Sequence, residues 1–363
     1  MAVDIPFGFT VAPVDAPGTS DAALYDEVIA DALLGQSLGY EAAWFLEHHF
    51  TDYFPTPSPL LHMAYTAARV PGLGLGTCVV VTPWYHPIRL AEEIAMLSIL
   101  SRGDLHIGIG RGTAKLEYDA WGVEQEEART MFKESLEVMR LAHSGEPFQF
   151  RGSSLAMNRR VRMRPDPVRE RIHIYGAIGS PGSGALMAEY DLPPLCVANF
   201  PHHIMKSILD QWTAGMAAKG KPASGRKTLM FLAYVADTDE EARRIMKQYV
   251  PPFFSVQARH YEADKDYYKD IKGYEQFNKF FANLKRMGDP ATMDPWIDQQ
   301  ICGSPATARR QIERYVEMGF NSFIVQLATY EVPRSVRHEM LTRFAREVAP
   351  EFSSAFKGTK AAE

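Results

Sequence analysis

Eight times along this chain a short apolar run gives way to a helical stretch, and no other feature restricts the fold so strongly. The runs fall at residues 5–11, 41–46, 73–81, 105–109, 172–178, 195–199, 228–236 and 322–327. Several are apolar nearly throughout, as parallel strands covered on both faces must be. The stretches between them carry helical spacing. In 21–38, for example, Leu24, Val28, Ala32 and Leu33 share one face. Ser20 or Asp21 can cap that helix and Gly39 can end it, while Pro87 suits the first turn of the helix at 87–100. Strands alternating with helices predict a parallel sheet. Eight such units without a reversal of strand order predict an α/β fold closed into a (β/α)₈ TIM barrel.

Such a barrel takes about 250 residues and grows by loop insertion, so the 363 residues are read as one domain over 1–363. The surplus lies mainly at 250–303, an insertion after the seventh strand rich in aromatic residues, Phe253, Tyr261, Tyr274, Phe277 and Phe281 among them. Its place on the ligand-facing side of the barrel predicts a lid that excludes water. Residues 144–167 are expected to form a small hairpin excursion, and 357–363 a flexible tail.

The composition, 46% hydrophobic and 23% charged, is that of a folded soluble chain. A net charge of −5 gives no field that favours nucleic acid or an acidic membrane. No apolar run is long enough to span a bilayer, and the first residues lack the basic and apolar regions of a signal peptide. A cytoplasmic location is therefore expected. The three cysteines, Cys78, Cys196 and Cys302, are far apart, which argues against metal ligation by thiolates.

Four stretches could carry chemistry. Glu47-His48-His49 ends the second strand, where a barrel presents polar groups to its ligand. Adjacent side chains on an extended segment point to opposite faces, so the two histidines are poor partners for one metal and none is expected. A histidine placed there suits a general base, or one that simply satisfies a backbone carbonyl. Gly108-Ile109-Gly110-Arg111-Gly112 ends the fourth strand. Its glycines sit too close together for a dinucleotide fingerprint, and no helix opens directly there. They allow a flat ligand close to the backbone, and Arg111 can clamp a phosphate or form a surface ion pair. Gly179-Ser180-Pro181-Gly182-Ser183-Gly184 opens a helix after the fifth strand, as a phosphate-binding or a plainly capping turn would. Arg129 can add a second positive charge.

Assembled, these pieces resemble the bacterial luciferase-like flavin monooxygenases. The resemblance runs through Trp44-Phe45-Leu46-Glu47-His48-His49-Phe50-Thr51, Gly76-Thr77-Cys78-Val79-Val80-Val81 and His86-Pro87-Ile88-Arg89. It continues through Leu100-Ser101-Arg102-Gly103, the glycine strand, and Gly303-Ser304-Pro305 with Gly319-Phe320-Asn321. It implies a barrel that binds reduced FMN from a separate flavin reductase and works as a homodimer. It implies catalysis by His48, with Glu47 or a backbone group orienting it. It implies a phosphate site at Arg111, Arg129, Ser180 and Ser183, with Gly179 beside them. It also implies a cis peptide between Cys78 and Val79 beneath the flavin ring. Where luciferase has a cysteine, this chain has Gly110, which is expected to leave room beside the ring.

The function expected on this basis is a two-component monooxygenase. It would use reduced FMN and O₂ to oxygenate a small aldehyde, ketone or hydroxylatable compound through a flavin hydroperoxide. A deazaflavin-dependent dehydrogenase on the same barrel is the nearest alternative. A non-catalytic flavin-binding protein and a metal-dependent hydrolase are more distant ones.

Overall fold

The computed structural model describes residues 4–14, 18–179, 182–271, 274–326 and 330–357. Its first half runs β1 (Phe7–Val11), α1 (Asp21–Ser37), β2 (Ala42–Phe45), α2 (Pro59–Arg69), β3 (Gly74–Val81), α3 (Pro87–Leu100), β4 (Leu105–Gly110), α4 (Lys115–Trp121) and α5 (Ala128–Ala142). There follow β5 (Ile172–Ile178), α6 (Ser183–Glu189), β6 (Pro194–Val197), α7 (His202–Ala218), β7 (Thr228–Val235) and α8 (Asp239–Tyr249). The last part comprises α9 (Pro251–His260), α10 (Glu275–Met287), α11 (Asp294–Ile297), β8 (Ile301–Gly303), α12 (Pro305–Met318), β9 (Ser322–Gln326) and α13 (Arg334–Arg343).

All strand pairings are parallel, and β1 to β7 followed by β9 close on themselves through the β9–β1 pair. The expected eight-stranded barrel is borne out. Two elements differ from the sequence reading. The stretch after the glycine strand, given no element in the sequence reading, folds into α4. The end of the insertion forms β8, which pairs with Ala233–Val235 after β9 has paired with residues 228–232 of β7. The excursion at 144–167 has the expected hairpin form, with antiparallel bridges Phe148↔Val161 and Arg151↔Ala156. Among the described residues no helix is long and apolar enough to cross a membrane.

Alternation along the strands separates two cores. In β2, Ala42 and Trp44 face the barrel interior with Tyr175, Leu195, Met230 and Ile324, while Ala43 and Phe45 face the helices. Trp44 lies across the neighbouring strands. A Cβ on Gly8 would stand 2.3 Å from its Nε1, and one on Gly76 2.5 Å from its Cδ2. On one side Trp44 stacks on buried His106, whose Nδ1 lies 3.1 Å from the Tyr175 hydroxyl. Glu41, just before β2, accepts from both terminal nitrogens of Arg226 at 2.7 and 3.0 Å. With the interior filled by these side chains, open space is left at the opposite, C-terminal ends of the strands.

Helix ends follow their sequence signals. Ser20, Ser58, Thr238 and Ser304 each accept a backbone N–H two or three residues into the helix that follows. Pro59 and Pro305 take first-turn positions.

Candidate active site

A cavity of about 290 Å³ opens at the C-terminal ends of the strands, near the small end of the ~300–1,000 Å³ range of ligand pockets. Its wall takes Glu47 and His48 from the end of β2, Cys78 and Val79 from β3, Gly110 to Ala114 after β4, and Gly179 after β5. Its roof comes from the insertion and includes Phe253, Tyr261, Tyr274 and Phe281.

The Glu-His-His element splits as an extended segment should. Glu47 is buried. Its Oε1 meets His49 Nε2 at 3.2 Å, and its Oε2 accepts the Val81 N–H at 2.8 Å. Burial pushes its pKa up to about 7 against the pull of those two partners. His48 turns the other way, and the expectation that Glu47 orients it is corrected here. The carboxylate beside His48 is Glu117 of α4, whose Oε1 lies 3.4 Å from His48 Nδ1. Burial brings His48 down to about 4, with Glu117 opposing the shift.

Glu117 is almost wholly buried and sits between two histidines. Its Oε1 also lies 3.4 Å from Nε2 of His260, which ends α9, and accepts the His49 backbone N–H at 2.9 Å. Burial alone would raise its pKa, yet His260 and His48 hold it well below the usual carboxylate range. The other nitrogen of His260, Nδ1, lies 2.8 Å from Thr51 Oγ1. His48, Glu117 and His260 are the one group of three potential metal-ligating side chains found among the described residues, with ligand atoms within 4.8 Å of one another.

The glycine strand serves packing first. A Cβ on Gly108 would stand 2.2 Å from the Thr77 carbonyl oxygen, so β4 could not pair with β3 there. Gly112 has φ +75°, which favours glycine. At Gly110 a Cβ would stand 2.7 Å from Val79 Cγ2. The space expected beside Gly110 is therefore partly taken by Val79. The peptide between Cys78 and Val79 is cis, as the resemblance implied, and β3–β4 pairing is interrupted at that point.

Arg111 is the one lysine or arginine on the cavity wall among the described residues. Its guanidinium lies over the Tyr274 ring, 4.8 Å from the centroid, and its carbonyl accepts the Tyr118 hydroxyl. The Tyr118 and Tyr274 hydroxyls are 3.3 Å apart. Gly179 and Ser183 line the cavity. Ser180 lies outside the described residues. Arg129 is exposed in the first turn of α5 and does not line the cavity, a correction to the expected phosphate set. Its place follows from the helix, since α5 buries Ala128 and Phe132 and turns Arg129 outward.

Four site residues escaped the sequence reading: Glu117, Thr51, Tyr118 and His260. Glu117 and Tyr118 follow Arg111 within seven residues, on the ligand-facing side of any barrel, and that position was their only signal. His260 had none, because it reaches the site through the fold of the insertion.

The wall suits a flat group that bears a phosphate. Gly110 offers a surface without a side chain, Arg111 offers a cation, and aromatic rings lie above.

A family model described as luciferase-like monooxygenase matches residues 5–322. The uncharacterized protein y4vJ of Sinorhizobium fredii is 35% identical over 41% of this chain and 44% of its own length. The oxygenase component of a flavin-dependent trigonelline monooxygenase from Acinetobacter baylyi is 38% identical over 35% of this chain and 38% of its own. This chain thus matches less than half the length of each of these two relatives. Two solved structures resemble the whole chain. The oxygenating constituent of 3,6-diketocamphane monooxygenase from Pseudomonas putida, in complex with FMN, has a TM-score of 0.73 and 22% identity, covering 97% of this chain and 99% of that one. An F420-dependent secondary alcohol dehydrogenase has a TM-score of 0.75 and 16% identity, covering 97% and 100%.

Proposed function

The chain belongs to the luciferase-like monooxygenase family, and on that premise we propose that it is the oxygenase component of a two-component system using reduced FMN and O₂. A separate flavin reductase supplies the reduced FMN. One oxygen atom enters a small organic substrate, an aldehyde, ketone or hydroxylatable compound, and the other leaves as water, with two electrons drawn from the flavin. The observation that carries this reading is the convergence of Gly110, Arg111 and the Cys78–Val79 segment on one cavity with an aromatic roof.

Arg111 holds the phosphate, aided by Ser183 and, as its sequence position suggests, Ser180. The backbone at Gly110 and Val79 supports the ring. Reduced flavin, when bound, supplies the electrons that activate O₂. His48 is the base that takes or relays the substrate's proton, and its lowered pKa keeps the imidazole neutral near pH 7. Glu47 is left with a supporting role, tying the end of β2 to Val81 and His49. The insertion at 250–303 closes over the site as a lid and excludes water.

A deazaflavin-dependent dehydrogenase is kept as the second reading, because the barrel is as close in shape to the F420-dependent alcohol dehydrogenase as to the FMN-bound monooxygenase. Rapid mixing of the protein and reduced FMN with oxygenated buffer separates the two. A long-lived absorbing species, distinct from both reduced and oxidised FMN, is expected. Oxidation at the rate of free FMN, together with tight binding of a deazaflavin, would replace the first reading by the second. We also take the protein to be a cytoplasmic homodimer.

A further inference from the structure

We propose that Glu117 and His260 are positioning residues that fix His48 as its Nδ1–H tautomer, so that the nitrogen it presents to substrate, Nε2, carries the lone pair. The inference rests on His48 being the base of the proposed oxygenase, but its geometry is independent of the flavin.

The argument starts at Thr51. Its Oγ1 accepts the Tyr53 backbone N–H at 3.3 Å, so its hydroxyl hydrogen is free to point to His260 Nδ1, 2.8 Å away. With that hydrogen donated, the proton of His260 sits on Nε2, 3.4 Å from Glu117 Oε1. That oxygen already accepts the His49 backbone N–H. His48 Nδ1 lies 3.4 Å from it, and both facing nitrogens, His48 Nδ1 and His260 Nε2, are buried with that carboxylate beside them and no aligned hydrogen bond of their own. A lone pair on either nitrogen would face a carboxylate oxygen at 3.4 Å, which is repulsive. A proton on each is attractive, and it gives a buried carboxylate the donors it needs. His48 is thereby left with Nε2 unprotonated in a residue that lines the cavity.

His260 belongs to the insertion and Glu117 to α4, so the full set of contacts around Glu117 forms only when α9 is seated. The groups that face His48 are Glu117 of α4, His260 and Tyr261 at the end of α9, and Tyr53 and His49 of its own segment.

Nitrogen-15 NMR of histidine-labelled, cofactor-free protein reads the tautomer directly, with His48→Gln assigning the signal. His48 is expected as Nδ1–H. In Glu117→Gln the tautomer ratio should move at least about tenfold towards Nε2–H, as expected when a buried polar contact loses its charged partner. His260→Phe should move it in the same direction, and His260→Gln, which keeps a donor, should restore most of it. Thermal melts establish that each variant is folded. An Nε2–H signal in the unsubstituted protein, an unchanged ratio in folded Glu117→Gln, or a stoichiometric divalent metal in the purified protein would overturn the proposal. Reoxidation of bound reduced FMN is measured separately. If it matches free FMN while the tautomer is as stated, the flavin reading fails and the positioning assignment stands.

Discussion

At the scale of single residues, glycines and one arginine carry the sharpest expectations. Gly110→Ala places a Cβ 2.7 Å from Val79 Cγ2. Such overpacking costs about 1–3 kcal/mol. Denaturant unfolding should show that loss, and Gly110→Ala combined with Val79→Ala should recover most of it, because the clash is with a side chain. Gly108→Ala should not be recoverable, since its added carbon meets the Thr77 carbonyl. Arg111→Ala should weaken binding of reduced FMN roughly 10- to 100-fold, as expected for a lost charge-assisted contact to phosphate. Equilibrium dialysis measures that change. The stability of the cofactor-free protein should fall much less, because the Tyr274 contact is worth only about 0.5–1 kcal/mol. Gly110 and Arg111 were legible in the sequence because strand-end glycines and a cation between them are a local pattern. Glu117 and His260 were not, because each gains its meaning from a partner more than 60 residues away in the chain.

At the scale of elements, the hairpin excursion shows how one carboxylate can anchor a loop. Glu134 on α5 accepts the backbone N–H of Ser153 at 2.6 Å and those of Ser154 and Leu155 at 3.0 Å. The hydroxyls of both serines point to it as well. Burial would raise its pKa, but these donors outweigh burial and hold it below the ordinary value. A carboxylate lowered on folding contributes stability above its unfolded pKa, and that stability is lost as pH falls through its folded value. Glu134→Gln should therefore cost about 1–3 kcal/mol at pH 7. The difference from the unsubstituted protein should shrink below the unfolded pKa near 4.5, as followed by chemical denaturation across pH. The sequence signalled a hairpin here but not its anchor, which sits on a neighbouring helix. Helix α4 was missed for a related reason. Its seven residues are too few to show a helical period, and its two buried side chains, Glu117 and Tyr118, are polar ones held by the site.

At the scale of the whole molecule, closure of the barrel leaves α2 and α3 side by side with apolar residues facing outward. Leu61, Met96, Ile99 and Leu100 are each half or more exposed. Patches of this kind mark interaction surfaces, and we expect a second copy of the chain to cover this one. Sedimentation should give a dimer. Met96→Glu combined with Ile99→Glu should give a folded monomer that still binds flavin, whereas a dimer that survives both substitutions would place the interface elsewhere.

The order of strands and helices, and with it the barrel, was written in the sequence, because hydrophobic period and capping residues act over one or two turns of chain. So were the groups at the strand ends, since a barrel brings every strand's C-terminal end to one face. Which of those groups meet was decided only by tertiary structure. Glu47 went to His49 and Val81, and His48 went to Glu117 and His260, because side-chain partners depend on how α4 and α9 dock over the barrel mouth. No local pattern in the chain encodes that docking.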